Sequence, residues 1–198
     1  MSLPVPPFEA VYRDFRPKVL RYMTGVVDSG EAPDLTQVAM MKVAGHLHEF
    51  RGESSLSTWI FRIAANVALD RLRQREPDRV ALTLGTEEDD EEADMSVPAE
   101  MQSPSTESTA AREEMSACVR EFVDRLPVAY RNVLVLSEIE GFSNAEIAEI
   151  TGLSLETVKI RLHRGRVKLR AELESGCAIG RDEGNEVACE RTAPIRFK

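Results

Sequence analysis

The chain has 198 residues, a formal net charge of −9 and 42% hydrophobic residues. That length holds one large domain or two small ones, and the apolar fraction suffices for a packed core. No run of 18 apolar residues occurs, which excludes a membrane-spanning helix, and Met1–Pro7 has neither the basic start nor the apolar run of a secretion signal, so a cytoplasmic protein is expected.

From the N-terminus, Phe8, Val11, Tyr12, Phe15, Val19, Leu20 and Met23 recur at three- and four-residue spacing, predicting a helix from Phe8 to Val27. A short turn is expected around Gly25–Gly30. A second helix is expected from Pro33 to Leu47, with Leu35, Val38, Met41 and Val43 on its inner side. Phe50–Ser57 reads as a loop marked by Gly52 and its serines. Thr58–Gln74 reads as a third helix ending in a basic run, with Ile60 and Ile63 in the core.

The middle of the chain is set apart by charge. Residues 77–112 hold 2 Lys/Arg and 10 Asp/Glu, a net of −8, centred on Glu87–Glu92 and followed by Ser/Thr/Pro-rich sequence to Ser108. So little apolar content predicts a disordered linker. It divides the chain into domains at 1–76 and 113–174, with a tail at 175–198.

The second domain is expected to open with a helix from about Ala110 to Arg125. Pro127 then starts another, at a position that tolerates proline, and Gly141 closes it. Ser143 with Glu146 forms a capping box, Gly152 ends that helix, and Ser154 caps the next. From Ser154 to Arg170 there are six Lys/Arg against one acid, a local +5 in an acidic protein. Val158, Leu162, Gly165 and Leu169 share one face, while Thr157, Ile160, Arg161, Arg164 and Lys168 share the opposite one. One buried face and one cationic face, after a capped helix and a glycine turn, make a helix-turn-helix suited to a DNA groove. The Gly, Asp and Asn content of the tail suggests turns and a small hairpin.

Cys118, Cys177 and Cys189 form no CxxC and no disulfide framework, and His46, His48 and His163 complete no metal-ligand pattern with them. No catalytic pair or carboxylate cluster of catalytic type is visible. The chain is therefore expected to be no enzyme and to carry no cofactor or metal.

Two blocks together, Asp34-Leu-Thr-Gln37 with Phe50–Arg73, and Leu126-Pro127 through Arg170, resemble the extracytoplasmic-function (ECF) group of sigma-70 family sigma factors. The resemblance implies an all-α fold of two small helical domains, sigma-2 and sigma-4, joined by the flexible acidic linker. It also implies the partners: the clamp of the largest subunit and the flap of the second subunit of core RNA polymerase, promoter DNA, and an anti-sigma factor, with no insertion into a membrane. In the family the linker threads the RNA exit channel, a place suited to Glu87–Glu92.

Carried over residue by residue, Asp34, Leu35, Gln37 and Met41 fall on the polymerase-binding helix; Val38 and Pro33 stand where the family usually has acids. Phe50, Arg51, Gly52, Glu53 and Ser54 match the loop that captures a flipped −10 base, and Asn66 matches a second base contact. A flipped base needs hydrogen-bonding edges and an apolar wall, and a separated strand needs cations and stacking surfaces. Trp59, Phe61, Arg62 and Arg71 supply a flank for that strand, although Trp59 reads equally well as core. Thr157, Lys159, Ile160, Arg161, His163, Arg164 and Lys168 match the stretch that reads the −35 element. Ile160 replaces a small polar residue and suits a thymine methyl; His163 suits a backbone or phosphate contact. The alternatives are a stand-alone helix-turn-helix regulator with an N-terminal sensing or dimerisation domain, and a thiol or metal sensor centred on Cys177 and Cys189.

Overall fold

A computed structural model describes residues 6–75, 120–181 and 187–191, with side chains to Gly176. The acidic linker, the start of the helix expected from Ala110, Cys118 and the side chains of Cys177 and Cys189 lie outside the described residues.

The first half is three helices. Helix α1 (Phe8–Val26) buries Val11, Val19, Tyr22, Met23 and Val26 along one stripe. Tyr12, expected inside, is 41% exposed. The turn that follows starts later than expected. Gly25 belongs to α1 and is buried, and the chain reverses at Asp28, whose carboxylate accepts from Gly30 N–H at 2.9 Å. Helix α2 (Ala32–His46) carries Pro33 in its first turn, where no intrahelical N–H is needed. Its inner face is Thr36, Ala39, Met40 and Val43. Val38 and Met41 do not lie inside as expected: they are 42% and 67% exposed. Both sides of α2 carry apolar residues, and the side fitting closest against α1 and α3 uses the smaller Thr36 and Ala39. After a short 3-10 turn, Leu47–Glu49, helix α3 (Leu56–Arg75) buries Thr58, Ile60, Phe61, Ala64, Ala65, Val67 and Ala68. Ile63 is half-buried, and Phe61, expected on the flank of a separated strand, is 1% exposed because its ring fills the core against Phe142.

The second half begins with helical residues 120–125. Pro127 is the N-cap of α4 (Val128–Leu134), which runs on into one wider turn, Val135–Ile139, whose Val135 carbonyl accepts from Glu140 N–H at 3.1 Å. Gly141 ends it in the left-handed region, φ 76°. Helix α5 (Asn144–Thr151) has the full capping box: Ser143 Oγ accepts from Glu146 N–H, and Glu146 Oε2 accepts from Ser143 N–H at 2.9 Å. Gly152 closes α5 at φ 71°. Helix α6 (Leu155–Gly176) starts where Ser154 Oγ accepts from Thr157 N–H at 3.1 Å. It buries Val158, Leu162 and Gly165. A Cβ on Gly165 would stand 2.9 Å from Leu134 Cδ1, so glycine sets how closely α6 crosses α4. Strands β1 (Cys177–Arg181) and β2 (Val187–Arg191) form an antiparallel hairpin, with Ile179 opposite Cys189. The two domains are all-α, and the hairpin is appended to α6.

The two halves share one core. Phe61 of α3 packs edge-on against Phe142, with ring centroids 4.8 Å apart, in a cluster that runs from Val11 to Leu162. A bulkier residue at the α4–α6 crossing must displace Leu134. Gly165→Val is expected to lower stability by about 1–3 kcal/mol, and urea unfolding of the whole chain checks it; unchanged stability would contradict the close crossing.

Candidate nucleic-acid interface

The loop before α3 is built from its own hydrogen bonds. Gly52 takes φ 74°, a conformation that favours glycine. Ser55 Oγ accepts from Thr58 N–H at 3.0 Å and so caps α3. The cap aims Trp59 back over the loop, where its ring lies 5.6 Å from that of Phe50 at 57°. Both rings are half-buried, as are Gly52 and Ser54, while Arg51 and Glu53 are exposed. The loop thus presents a tilted aromatic pair edged by a cation, a carboxylate and a hydroxyl, the mixture that an unstacked base requires.

Trp59, Arg62 and Asn66 follow one another at helical spacing on α3, and Arg62 and Asn66 are exposed. Arg71 does not join them. Its helical phase turns it toward α2, where its guanidinium takes both carboxylate oxygens of Glu31, with Nε 3.1 Å from Oε2. That hydrogen bond holds the Glu31 carboxyl below the usual carboxylate range. Arg75 reaches Asp28 at 3.6 Å in the same cluster. Arg71 therefore ties α3 to the start of α2. Arg62 has a partner as well, since its Nε donates to the Glu149 carbonyl of α5 at 2.8 Å.

On α2, Asp34, Gln37, Val38 and Met41 form one exposed stripe, while Leu35 is half-buried beside it. Val38 belongs with this outer group, which sequence reasoning missed because a valine at helical spacing reads as core.

The other surface lies on the outer side of α6. Opposite its buried side stand Ile160, 39% exposed, and Val167, 53% exposed, with His163 and Arg164 half-buried between them. Thr157 and Arg161 are half-buried, and Lys159 and Lys168 are exposed. The cationic face is less open than the sequence suggests: Arg161 and Arg164 make contacts within the protein, and Lys168 Nζ lies 5.8 Å above the Tyr130 ring. Arg166 pairs with Glu138 at 2.7 Å and Arg170 with Glu174 at 2.8 Å. Much of the local +5 is thus offset by neighbouring acids, leaving a ridge that is apolar along its crest and polar on its flanks. Val167 is an addition to the residues singled out from the sequence.

Residues 11–77 match the sigma-70 region 2 family, and residues 116–169 match sigma-70 region 4. The chain belongs to the sigma-70 family. It is 34% identical over 169 residues to the ECF RNA polymerase sigma factor SigW of Bacillus subtilis, covering 82% of this chain and 85% of that protein. It is 30% identical to the RNA polymerase sigma factor SigZ of the same organism, over 90% of this chain and 94% of that one. It is 31% identical to the ECF sigma-E factor of Escherichia coli, over 77% and 78%. The fold resembles that of the sigma factor RpoE of Bartonella quintana, solved with the anti-sigma factor NepR, at a TM-score of 0.60, 21% identity and coverage of 84% and 96%. It also resembles CnrH, solved with the cytosolic domain of CnrY, at a TM-score of 0.58, 23% identity and coverage of 85% and 88%. The match to region 2 gives the N-terminal half a sigma-factor identity in place of the sensing or dimerisation domain of the alternative reading. Among the described residues no helix is long and apolar enough to cross a membrane.

Arg71 and Arg62 differ in what they hold, and that difference is measurable. Arg71→Gln is expected to destabilise the chain slightly, as loss of a solvent-screened ion pair does. Thermal unfolding in low and high salt checks it: the loss should shrink in high salt.

Proposed function

We propose that this sigma factor of the ECF group carries core RNA polymerase to promoters, opens the −10 element with α3 and the loop before it, and reads the −35 element with α6. The observation that carries the residue assignments is the Phe50–Trp59 pair at the head of the Arg62–Asn66 stripe, joined in one chain to a capped helix-turn-helix. The exposed stripe Asp34, Gln37, Val38 and Met41, with Leu35 beside it, is the surface offered to the polymerase clamp. One carboxylate and two apolar side chains suit a mixed polar and apolar contact.

Strand opening is a matter of capturing what thermal motion exposes. A base that swings out of the duplex loses stacking, and Phe50 and Trp59 replace it with an aromatic wall. Glu53, Ser54 and the loop backbone supply hydrogen-bonding edges, and Arg51 a cation for the phosphate. Asn66, about two helical turns beyond Trp59, offers amide donors and an acceptor to a second base. Each stacked base contributes about 1–3 kcal/mol, enough for two captured bases to offset the unpairing. On α6, Ile160 and Val167 meet thymine methyls or sugars in the major groove, while Thr157, Lys159, Arg161, His163, Arg164 and Lys168 supply base-edge and phosphate contacts.

The factor works by binding; polymerase makes the bonds. Its place is the cytoplasm, where core polymerase and promoters meet. RpoE and CnrH were each solved with an inhibitor or partner protein, and we extend an anti-sigma partner to this chain.

In run-off transcription with core polymerase on genomic fragments, the wild-type chain is expected to select promoters that core polymerase alone ignores. Asn66→Ala should keep polymerase binding and −35 occupancy but reduce permanganate reactivity of −10 thymines. Arg164→Ala should weaken −35-dependent transcription by about 1–3 kcal/mol of binding and spare polymerase binding. Full activity of both variants on selected promoters would remove the residue assignments.

A further inference from the structure

By helical phase, Glu156, Ile160 and Val167 share the line of α6 that stands opposite the buried Val158, Leu162 and Gly165. Glu156 is exposed, Ile160 is 39% exposed and Val167 53%. Branched aliphatic side chains on the outermost line of a surface helix contribute nothing to the core. The cations expected along this side are engaged elsewhere. Arg161 and Arg164 make contacts within the protein, Arg166 takes Glu138 and Arg170 takes Glu174. What the second turn of α6 offers at its crest is therefore Ile160, with the exposed Lys159 beside it.

Position along the helix separates the two aliphatic residues. The Ser154 cap starts α6 at Leu155, so Ile160 lies in the second turn. Val167 lies about 10.5 Å further on at 1.5 Å per residue, or about three base-pair steps. A recognition helix lays its first turns against base edges, and its later turns run out toward the backbone. Ile160 is thus the aliphatic side chain at base depth, and Val167 the one at the sugars. Glu156, one turn before Ile160, fits this placement. Phosphate repels a carboxylate, so this line of the helix faces the floor of the groove rather than its walls.

Isoleucine has no side-chain donor or acceptor. A G·C pair offers the major groove only the hydrogen-bonding edges at N7, O6 and N4, which Ile160 would cover without satisfying. Thymine presents a C5 methyl instead. We propose that Ile160 is a specificity-determining residue of −35 reading: it selects thymine, through the methyl group, at the one base pair it covers. The inference rests on the −35 role given to α6 above. Of the two aliphatic residues, Ile160 alone chooses a base, and Val167 adds contact that is the same for every sequence.

The test uses holoenzyme assembled from core polymerase and the full chain, on a promoter obtained by run-off selection and then randomised in its −35 element. Bound fragments are sequenced for wild type, Ile160→Ser and Val167→Ser. Wild type should select thymine on one strand at one position. Ile160→Ser should relax that position and keep the rest, and Val167→Ser should lower occupancy of all sequences alike. Loss of folding cannot imitate a change confined to one position. Deoxyuridine then replaces that thymine, which removes the methyl and leaves every hydrogen-bonding edge in place. Wild-type occupancy should fall about fourfold, as for one methyl-sized group left unburied. Ile160→Ser should bind both duplexes equally. The proposal is overturned if Ile160→Ser relaxes no position, if the position it relaxes is not thymine in wild type, if Val167→Ser relaxes that position as well, or if deoxyuridine costs wild type and Ile160→Ser the same. In each of those cases a −35 preference shared by all three proteins leaves the α6 reading standing. If wild-type holoenzyme starts transcription with no −35 preference at all, that reading fails and the proposal with it.

Discussion

Tyr22 and Glu140 are polar groups that this fold buries only because each finds its partner in the other half of the chain. The Tyr22 hydroxyl is fully enclosed, and burial together with the nearby Glu140 carboxylate pushes its pKa well above the ordinary range, so it remains a donor. Its acceptor, Asn132, is 110 residues away in sequence. Glu140 is 119 residues from Arg21. An unpartnered buried donor or acceptor costs about 1–3 kcal/mol, so neither site tolerates a slip in docking. Apolar contact alone would let α3 and α5 slide on one another. These pairs select one register, and the register places the Glu149 carbonyl against Arg62. The position of the Trp59–Arg62–Asn66 stripe relative to α5 thus depends on these buried polar pairs.

The two domains solve different problems with the same device. Each begins its working helix at a serine whose hydroxyl accepts from the N–H three residues on: Ser55 for α3 and Ser154 for α6. A cap of this kind contributes about 1 kcal/mol, but its larger effect is geometric. It fixes where the first turn starts and therefore which residues of the helix face outward. On α3 this sets Trp59 above Phe50. On α6 it sets Ile160 opposite Val158.

What was legible in the sequence follows from how local each cause is. The caps at Ser143 and Ser154, the turns at Gly141 and Gly152 and the buried face of α6 depend on residues within a few positions of one another, and each appears in the structure where the spacing places it. The inner face of α2 was not legible, because Leu35, Val38 and Met41 are as apolar as Ala39, Met40 and Val43; only the shapes of α1 and α3 decide which side goes in. Arg71 read as a strand contact because it lies in a basic run, yet its phase and the carboxylate of Glu31 commit it elsewhere. Gly25 read as a turn residue, whereas its lack of a side chain serves contact with Val135. The seam was invisible from sequence, since no local pattern marks Asn132 or Glu140 as partners of residues in α1.

Arg62 is held in a different way from Arg71. A guanidinium that donates to a backbone carbonyl at the end of α5 is satisfied by an uncharged acceptor, which is a weaker partner than an anion. Had Arg62 been paired with a carboxylate, as Arg71 is with Glu31, the contact would have neutralised it. A carbonyl partner leaves the charge uncompensated. The docked halves therefore retain a cation at the edge of the Trp59–Asn66 stripe.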